Sequence, residues 1–258
     1  MATSSIEIAE TPLVLYTLRR ADDALILGHR LSEWCGHAPM LEEDMALANM
    51  ALDLIGQARE LYTYAAEVEG AGHDEDKFAY LRDVRQYRNL LLVEQPNGDF
   101  ARTIVRQLFY SAFADPYWRA MMASKDATLA AIAAKSEKES AYHLRHASEW
   151  VIRLGDGTEE SHRRAQAAVD ELWAFTGELF HSDDSDAGLI ETGIAVDPET
   201  LRGGWIETVS NVLATATLTW PETSWMQKGG RTGTHTEHLG HLLSELQSMQ
   251  RTFLNATW

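Results

Sequence analysis

DATLAAIAAKSEKESAYHLRHASEWVIRLG, residues 126–155, runs from an aspartate to a glycine with no proline or glycine between them. Asp126 suits an N-cap and Gly155 a stop, so the stretch is predicted to be one helix over about 126–154. Its centre, KESAYHLRH (138–146), holds a glutamate and two histidines. Carboxylate-bridged metal bundles use Glu-x-x-His, because residues three apart share one helix face. Here the residue three after Glu139 is Tyr142, and His143 comes one position late. The spacing leaves three readings open: a metal site, the remnant of one, or an ordinary helix surface on which Glu139 and His143 pair at i, i+4.

A second segment repeats the pattern. LEEDMALANMALDLIGQARELYTYAAEVE is predicted to be a helix over about 41–69, ended by Gly70 and Gly72. Its residues Asn49, Asp53, Gln57 and Glu60 form one polar stripe. The segments align as D53-LIG-Q57-A-R59 and E139-SAY-H143-L-R145. In each the acid is kept, and the position of the expected histidine holds Gly56 or Tyr142. Asp53, Gln57, Glu139 and His143 are therefore the candidates for a degenerate, pseudo-symmetric metal site; chance likeness of two amphipathic helices is the alternative. The other helices are short of ligands. The first offers Asp22, His29 and Glu33, and the helix at 99–123 offers Gln107 but no carboxylate near its middle until Asp115. True Glu-x-x-His occurs at Glu159–His162 and Glu178–His181, about 28 Å apart on one predicted helix. These cannot share a site and read as exposed charged pairs near helix ends.

Helix signals dominate the rest of the chain. Thr11-Pro12 opens a first helix that Gly36 stops. A long connection over about 71–98 contains a short helical piece and the turn PNG at 96–98. A helix over about 99–123 should kink or break at Pro116. Thr158 opens a helix to about 180, HSDDSD (181–186) reads as a loop, and Asp197-Pro198 starts a helix to about 219. MQKGGRTGT (226–234) reads as a flexible link, and Thr234-x-x-Glu237 as the capping box of a last helix ending near Asn255. Two long helices, a long connection and two more helices is the order of an all-α, ferritin-like bundle with one crossover. The expected organisation is a single domain over 1–258, with a core bundle at about 12–154 and additional helices at about 158–255.

Composition narrows the classes of function. Net charge is −17 and the isoelectric point near 4.9, which argues against a nucleic-acid surface. The single cysteine, Cys35, excludes an intrachain disulfide framework and fits a reducing cytoplasm. The first residues, MATSSIEIAETP, have neither a basic nor an apolar leader region, so no signal peptide is expected. No run approaches the ~20 apolar residues that span a bilayer. Mean hydropathy of −0.27 and 45% hydrophobic residues describe a soluble globular chain. Two further clusters are candidate sites. His238, His241 and Glu245 share a helix face and could clasp a divalent ion. Lys228 and Arg231, in a glycine-rich segment before a helix, could cradle an anion.

RLSEWCGHAP (30–39), LEEDMALANMALDLIGQAR (41–59), NLLLVEQPNGDFARTIVRQ (89–107), KESAYHLRHASEW, GIAVDPETLR (193–202) and TGTHTEHLG (232–240) together carry a resemblance. From about Leu13 to Phe253 the chain resembles the family of ferritin-like subunits of the bacterial phenylacetyl-CoA epoxidase, and within it the C subunits. The resemblance implies a fold like that of ferritin and the bacterial multicomponent monooxygenases. It implies that a paralogous A subunit holds the di-iron centre and binds phenylacetyl-CoA. The C-type member keeps the fold, lacks the ligand set, has no cofactor or catalytic residue of its own and stabilises A. A small B subunit and a flavin and iron–sulfur reductase complete an oxygen- and NADPH-dependent epoxidation of the aromatic ring. Gly56 and Tyr142 are consistent with a subunit that has lost its metal. A ferritin-like protein holding its own iron in an unusual geometry, and an unrelated scaffold, are the alternatives; the isolated chain could form a homo-oligomer.

Overall fold

The computed structural model describes residues 5–253, so the expected helix end near Asn255 and the first four residues lie outside them. Among the described residues there are eleven α-helices and no strand. Four are long: α1 (Pro12–Ser32), α2 (Leu41–Glu69), α5 (Phe100–Met121) and α6 (Ala127–Gly155). Between them the connection holds α3 (Glu75–Tyr80), a 3₁₀ turn at Val84–Gln86 and α4 (Leu91–Glu94). The ends follow the local chemistry. Thr11 caps α1 with Pro12 in its first turn, and Gly70 closes α2 at φ 68°. Asp126 caps α6 by accepting from the amides of Thr128 and Leu129.

α1 packs along α2 and α5 along α6, and the pairs join face to face. Tyr16 meets Tyr117 at 2.6 Å near one end of the α1–α5 contact, and Trp34 donates to Thr103 at 3.0 Å near the other. The two helices are thus antiparallel. Gly28 permits the close approach of α1 to α2, since a Cβ there would sit 3.1–3.3 Å from Ile55, Ala51 and Leu54. α2 and α6 bury one stripe each; on α6 it runs Leu129, Ile132, Ala133, Ser136, Ser140, His143, Ala147, Val151. By contrast, α1 is buried without interruption from Tyr16 to Gly28 and α5 from Thr103 to Asp115. This is a ferritin-like, all-α bundle.

Several local expectations give way to tertiary packing. α5 runs through Pro116 unbroken, because the turns on either side bury Phe113, Tyr117 and Trp118. The helix expected to reach 180 ends as α7 (Glu159–Trp173), followed by a 3₁₀ turn at Gly177–Phe180. The acidic HSDDSD segment is not all loop: Asp183 caps α8 (Asp184–Thr192). Asp197-Pro198 opens a 3₁₀ turn, and α9 (Arg202–Thr215) follows it. The last segment is two helices, α10 (Glu237–Leu246) and α11 (Ser248–Thr252), and its N-cap is Thr236 rather than Thr234. The hydroxyl of Thr236 donates to Glu94 instead of closing a capping box. α7 and α9 pack on α5 and α6. There Trp173, Trp205, Phe109 and Phe180 form an aromatic cluster, and the Trp205 indole donates to the Phe109 carbonyl at 2.9 Å.

An interior helix that carries charge needs partners, and α1 finds them in the connections. Asp22 and Arg82, both fully buried, form a bidentate ion pair that Tyr62 completes by donating to Asp22 at 2.6 Å. Asp22 also accepts the Arg88 amide at 2.7 Å. Removing one member of a buried ion pair leaves the other charge uncompensated, at a cost of about 3–5 kcal/mol. Asp22→Ala is expected to lower the urea unfolding free energy by about that amount. The joint change Asp22→Leu with Arg82→Met should cost clearly less than the sum of the two single changes. Strict additivity of the two would contradict this account.

Candidate functional site

The paired segments singled out in the sequence lie against each other, antiparallel, as the seam between α2 and α6. Gln57 donates to Glu139 at 2.8 Å, and His143 lies 3.0 Å from Asp53. Farther along, His146 lies 2.8 Å from Glu43, and at the opposite end Lys135 pairs with Glu60 at 2.6 Å. The expected i, i+4 pair of Glu139 with His143 is therefore replaced by two contacts across the helices. Gln57 and His143 are buried, whereas Asp53 is partly exposed and Glu139 half-buried. Burial pushes the Glu139 carboxyl up; the Gln57 amide opposes this and the Asp53 charge adds to it. Gly56 leaves open space where a side chain would be. Tyr142 sets its ring against His143 and His146, half-exposed, with the Arg145 guanidinium 5.6 Å from the ring centroid.

A carboxylate-bridged di-iron centre would need further acids from α1 and α5, and these do not arrive. On α5, Gln107 is buried and donates to Ser111 at 3.3 Å, and its side-chain oxygen meets no protein donor. A neutral amide is a poor bridge between two cations. On α1, Asp22 is committed to Arg82 and Tyr62, and Glu33 to Arg30 and Asn97. His29 is a lone imidazole whose pKa burial lowers. Among the described residues no three of His, Cys, Asp and Glu converge as a ligand set. The donors present do not fit a di-iron centre of the Glu and Glu-x-x-His type.

The remaining sequence candidates fall elsewhere. Arg231 is not an anion cradle. Its guanidinium is buried and bonded to both Asp23 oxygens, at 3.0 and 2.7 Å, and to the carbonyls of Arg19 and Arg88. Lys228 is exposed beside a groove lined by Trp225, Met226 and Arg202, so the two cations do not act together. His238, His241 and Glu245 all lie on α10 without converging on a shared ligand position. Glu178 is no exposed partner for His181. It is buried and accepts the amides of Leu91, Gly229 and Arg231 at 3.0–3.2 Å. His162 turns to the Gly155 carbonyl at 2.7 Å instead of to Glu159.

Sequence reasoning gave two of the buried acids that organise the connections, Asp22 and Glu178, other roles, and missed the other two, Asp23 and Glu94. Glu94 accepts the Thr236 amide and hydroxyl at 2.7 Å each and the Asn89 amide at 2.9 Å, and it faces His235 at 2.8 Å. The glycine-rich link is held by the same group. Gly230 fits only because it lacks a Cβ, which would stand 2.1 Å from the Asn89 carbonyl. Its signal in the sequence was the GG pair beside an arginine, legible as a close approach but not as to what.

Comparison with known proteins covers the whole molecule. The family model described as "Phenylacetic acid catabolic protein" matches residues 1–258. The chain is 52% identical over 246 residues, 95% of its length and 99% of the other's, to the C subunit of the 1,2-phenylacetyl-CoA epoxidase of Escherichia coli (strain K12). A match of that length and identity leaves no part of the bundle or its added helices unaccounted for. The chain belongs to the phenylacetic acid catabolic protein family.

Proposed function

We propose that this chain is the C-type subunit of a phenylacetyl-CoA epoxidase, a non-catalytic member of the complex that stabilises its catalytic A subunit. The complex acts in aerobic phenylacetate degradation, in the cytoplasm, with a small B subunit and a flavin and iron–sulfur reductase. The di-iron centre belongs to the A subunit, and this chain carries no cofactor. The observation that supports the reading is the α2–α6 seam. The two candidate ligand acids there are spent on side chains of the opposite helix, Glu139 on Gln57 and Asp53 on His143. Gly56 and Tyr142 stand where ligating histidines would follow. Among the described residues no helix is long and apolar enough to cross a membrane.

What such a chain does chemically is to hold a shape. Its buried acids Asp22, Asp23, Glu94 and Glu178 are met by groups of the chain itself, so association buries outer faces without first having to supply them partners. Binding that favours the folded partner stabilises that partner by mass action.

Expressed alone with iron supplied, the chain is expected to hold far less than two iron atoms per monomer. It should show no epoxidase turnover with reductase until A and B are added. Near-stoichiometric iron with an oxo-bridged absorption band, or turnover by this chain and reductase alone, would overturn the proposal.

Replacing Glu139 and His143 by alanine strands Gln57 and Asp53 and should cost about 1–3 kcal/mol. The assembled complex should keep its turnover within a few-fold and the iron of the A subunit in full. Loss of turnover with assembly and that iron intact would make the seam a functional site instead.

The raised pKa of Glu139 gives a pH signature. A carboxyl whose folded pKa is raised binds more protons folded than unfolded in the window between the two values. Its contribution to stability is full below the ordinary carboxylate range and is lost as pH rises through the raised value. Glu139→Gln cannot titrate, so its unfolding free energy should fall less than wild type's across that window. Parallel pH curves for the two proteins would refute the assignment.

A further inference from the structure

We infer that the outward face of α2 is where the catalytic partner docks, through a helix that presents an apolar stripe flanked by lysine or arginine. This rests on the function proposed above and adds to it the surface and the kind of surface it meets. Leu41, Met45, Ala48, Leu52 and Ile55 recur at alternating steps of four and three along α2. That is the a/d spacing by which one helix packs along another. The inner face of α2 uses different residues, Leu47, Met50, Ala51, Leu54, Ala58 and Leu61, and only Ile55, at the end of the stripe, also reaches α1, at Gly28. Leu41, Met45 and Leu52 are 73, 58 and 66% exposed, an unusual concentration of large apolar surface on one helix. The stripe spans about 21 Å, roughly four turns of a facing helix.

Beyond Ile55 the same line runs through Arg59 into an open groove between α2 and α6, lined also by Gly56, Thr63, Tyr64, Ile132 and Lys135, with a cavity volume of about 650 Å³. Its two cations are already paired, Arg59 with Glu75 and Lys135 with Glu60. Gly56 opens this groove, because no atom lies within 4 Å of where its Cβ would be. The position that denies the seam a histidine thus leaves space for a side chain from outside.

Charge selects the occupant. From Leu41 to Ala58 the helix carries Glu42, Glu43, Asp44 and Asp53 and no lysine or arginine. Glu43 and Asp53 face histidines of α6 and Asp44 accepts the Gly36 amide, which leaves Glu42 on the rim without a cation among the described residues. A second copy of this chain, with its own net charge of −17, would set acid against acid. A partner helix with basic flanks complements the face and is drawn to it from a distance. On α6 the exposed Arg145 lies against Tyr142 and marks the far border of the surface.

The test uses the full chain and the purified A subunit. Met45→Glu with Leu52→Glu puts two charges into the stripe at exposed positions, so circular dichroism and melting temperature should stay those of wild type. Affinity for the A subunit, by titration calorimetry, should fall at least about thirtyfold. Met249→Ala, at another exposed apolar site on α11, should bind as wild type does. Glu42→Lys should slow association and weaken its dependence on salt. Wild-type binding of A that the double variant leaves unchanged would refute the docking face while the proposed function stands. Failure of the wild-type chain to bind A at all would remove both. A homodimer of the wild-type chain that the double variant dissociates would assign the face to a second copy and overturn the inference.

Discussion

Two adjacent aspartates in the middle of a buried helix set the terms for the rest of the molecule. Asp22 and Asp23 are both fully buried on α1, and an ion moved from water into such a place is stable only if its charge and its lone pairs are met. Apart from Arg20 of α1 itself, 3.6 Å from Asp23, the cations come from outside the bundle helices. Arg82 comes from the connection between α2 and α5, and Arg231 from the glycine-rich link before α10. Backbone amides of the connection complete the shell, Arg88 for Asp22 and Leu90 for Asp23 at 2.8 Å. Burial still raises the Asp23 carboxyl above its ordinary range, even with Arg231 and Arg20 beside it. The fold therefore depends on the two longest non-bundle segments lying against α1.

Glu94 and Glu178 extend the same logic. Long connections inside a packed structure carry amides that have neither water nor a helix partner, and each has to be satisfied. Glu178 gathers three of them from two separate segments, and Glu94 ties the start of α10 to the crossover. Four buried carboxylates thus fasten the crossover and the C-terminal link to each other and to the bundle. In a chain with so acidic a balance, these are acids turned inward, and the arginines that meet them are correspondingly withdrawn from the surface. Arg231 illustrates it: a residue that reads as an anion binder is consumed by an internal anion.

The α2–α6 seam uses milder chemistry for a similar end. Glutamine and histidine, each within hydrogen-bond reach of an acid on the other helix, hold the two helices in register. The acids and the histidine that a metal centre would use are retained, yet their geometry is that of pairs. On its other side α2 leaves a regular apolar stripe uncovered, so one helix serves the interior with one set of residues and the exterior with another.

The all-α class, the limits of the long helices and their order around a single crossover are legible in one dimension. Those features are local: Thr11-Pro12, Asp126 and Gly70 act within one turn, and the burial pattern of α6 follows its own period. Asp53, Gln57, Glu139 and His143 also stand out there, because two segments with matching gaps can be aligned without knowing where either lies. Their bonding partners came only with the packing of the helices. An i, i+4 pair and a contact to a neighbouring helix have the same sequence signature, and the choice between them depends on how α2 and α6 are set side by side. The same holds for Pro116, carried inside α5 by the burial around it, and for Arg231 and Glu178, whose partners lie 208 and 87 positions away. Contacts at such separations follow from packing the whole chain, and no local rule names them in advance.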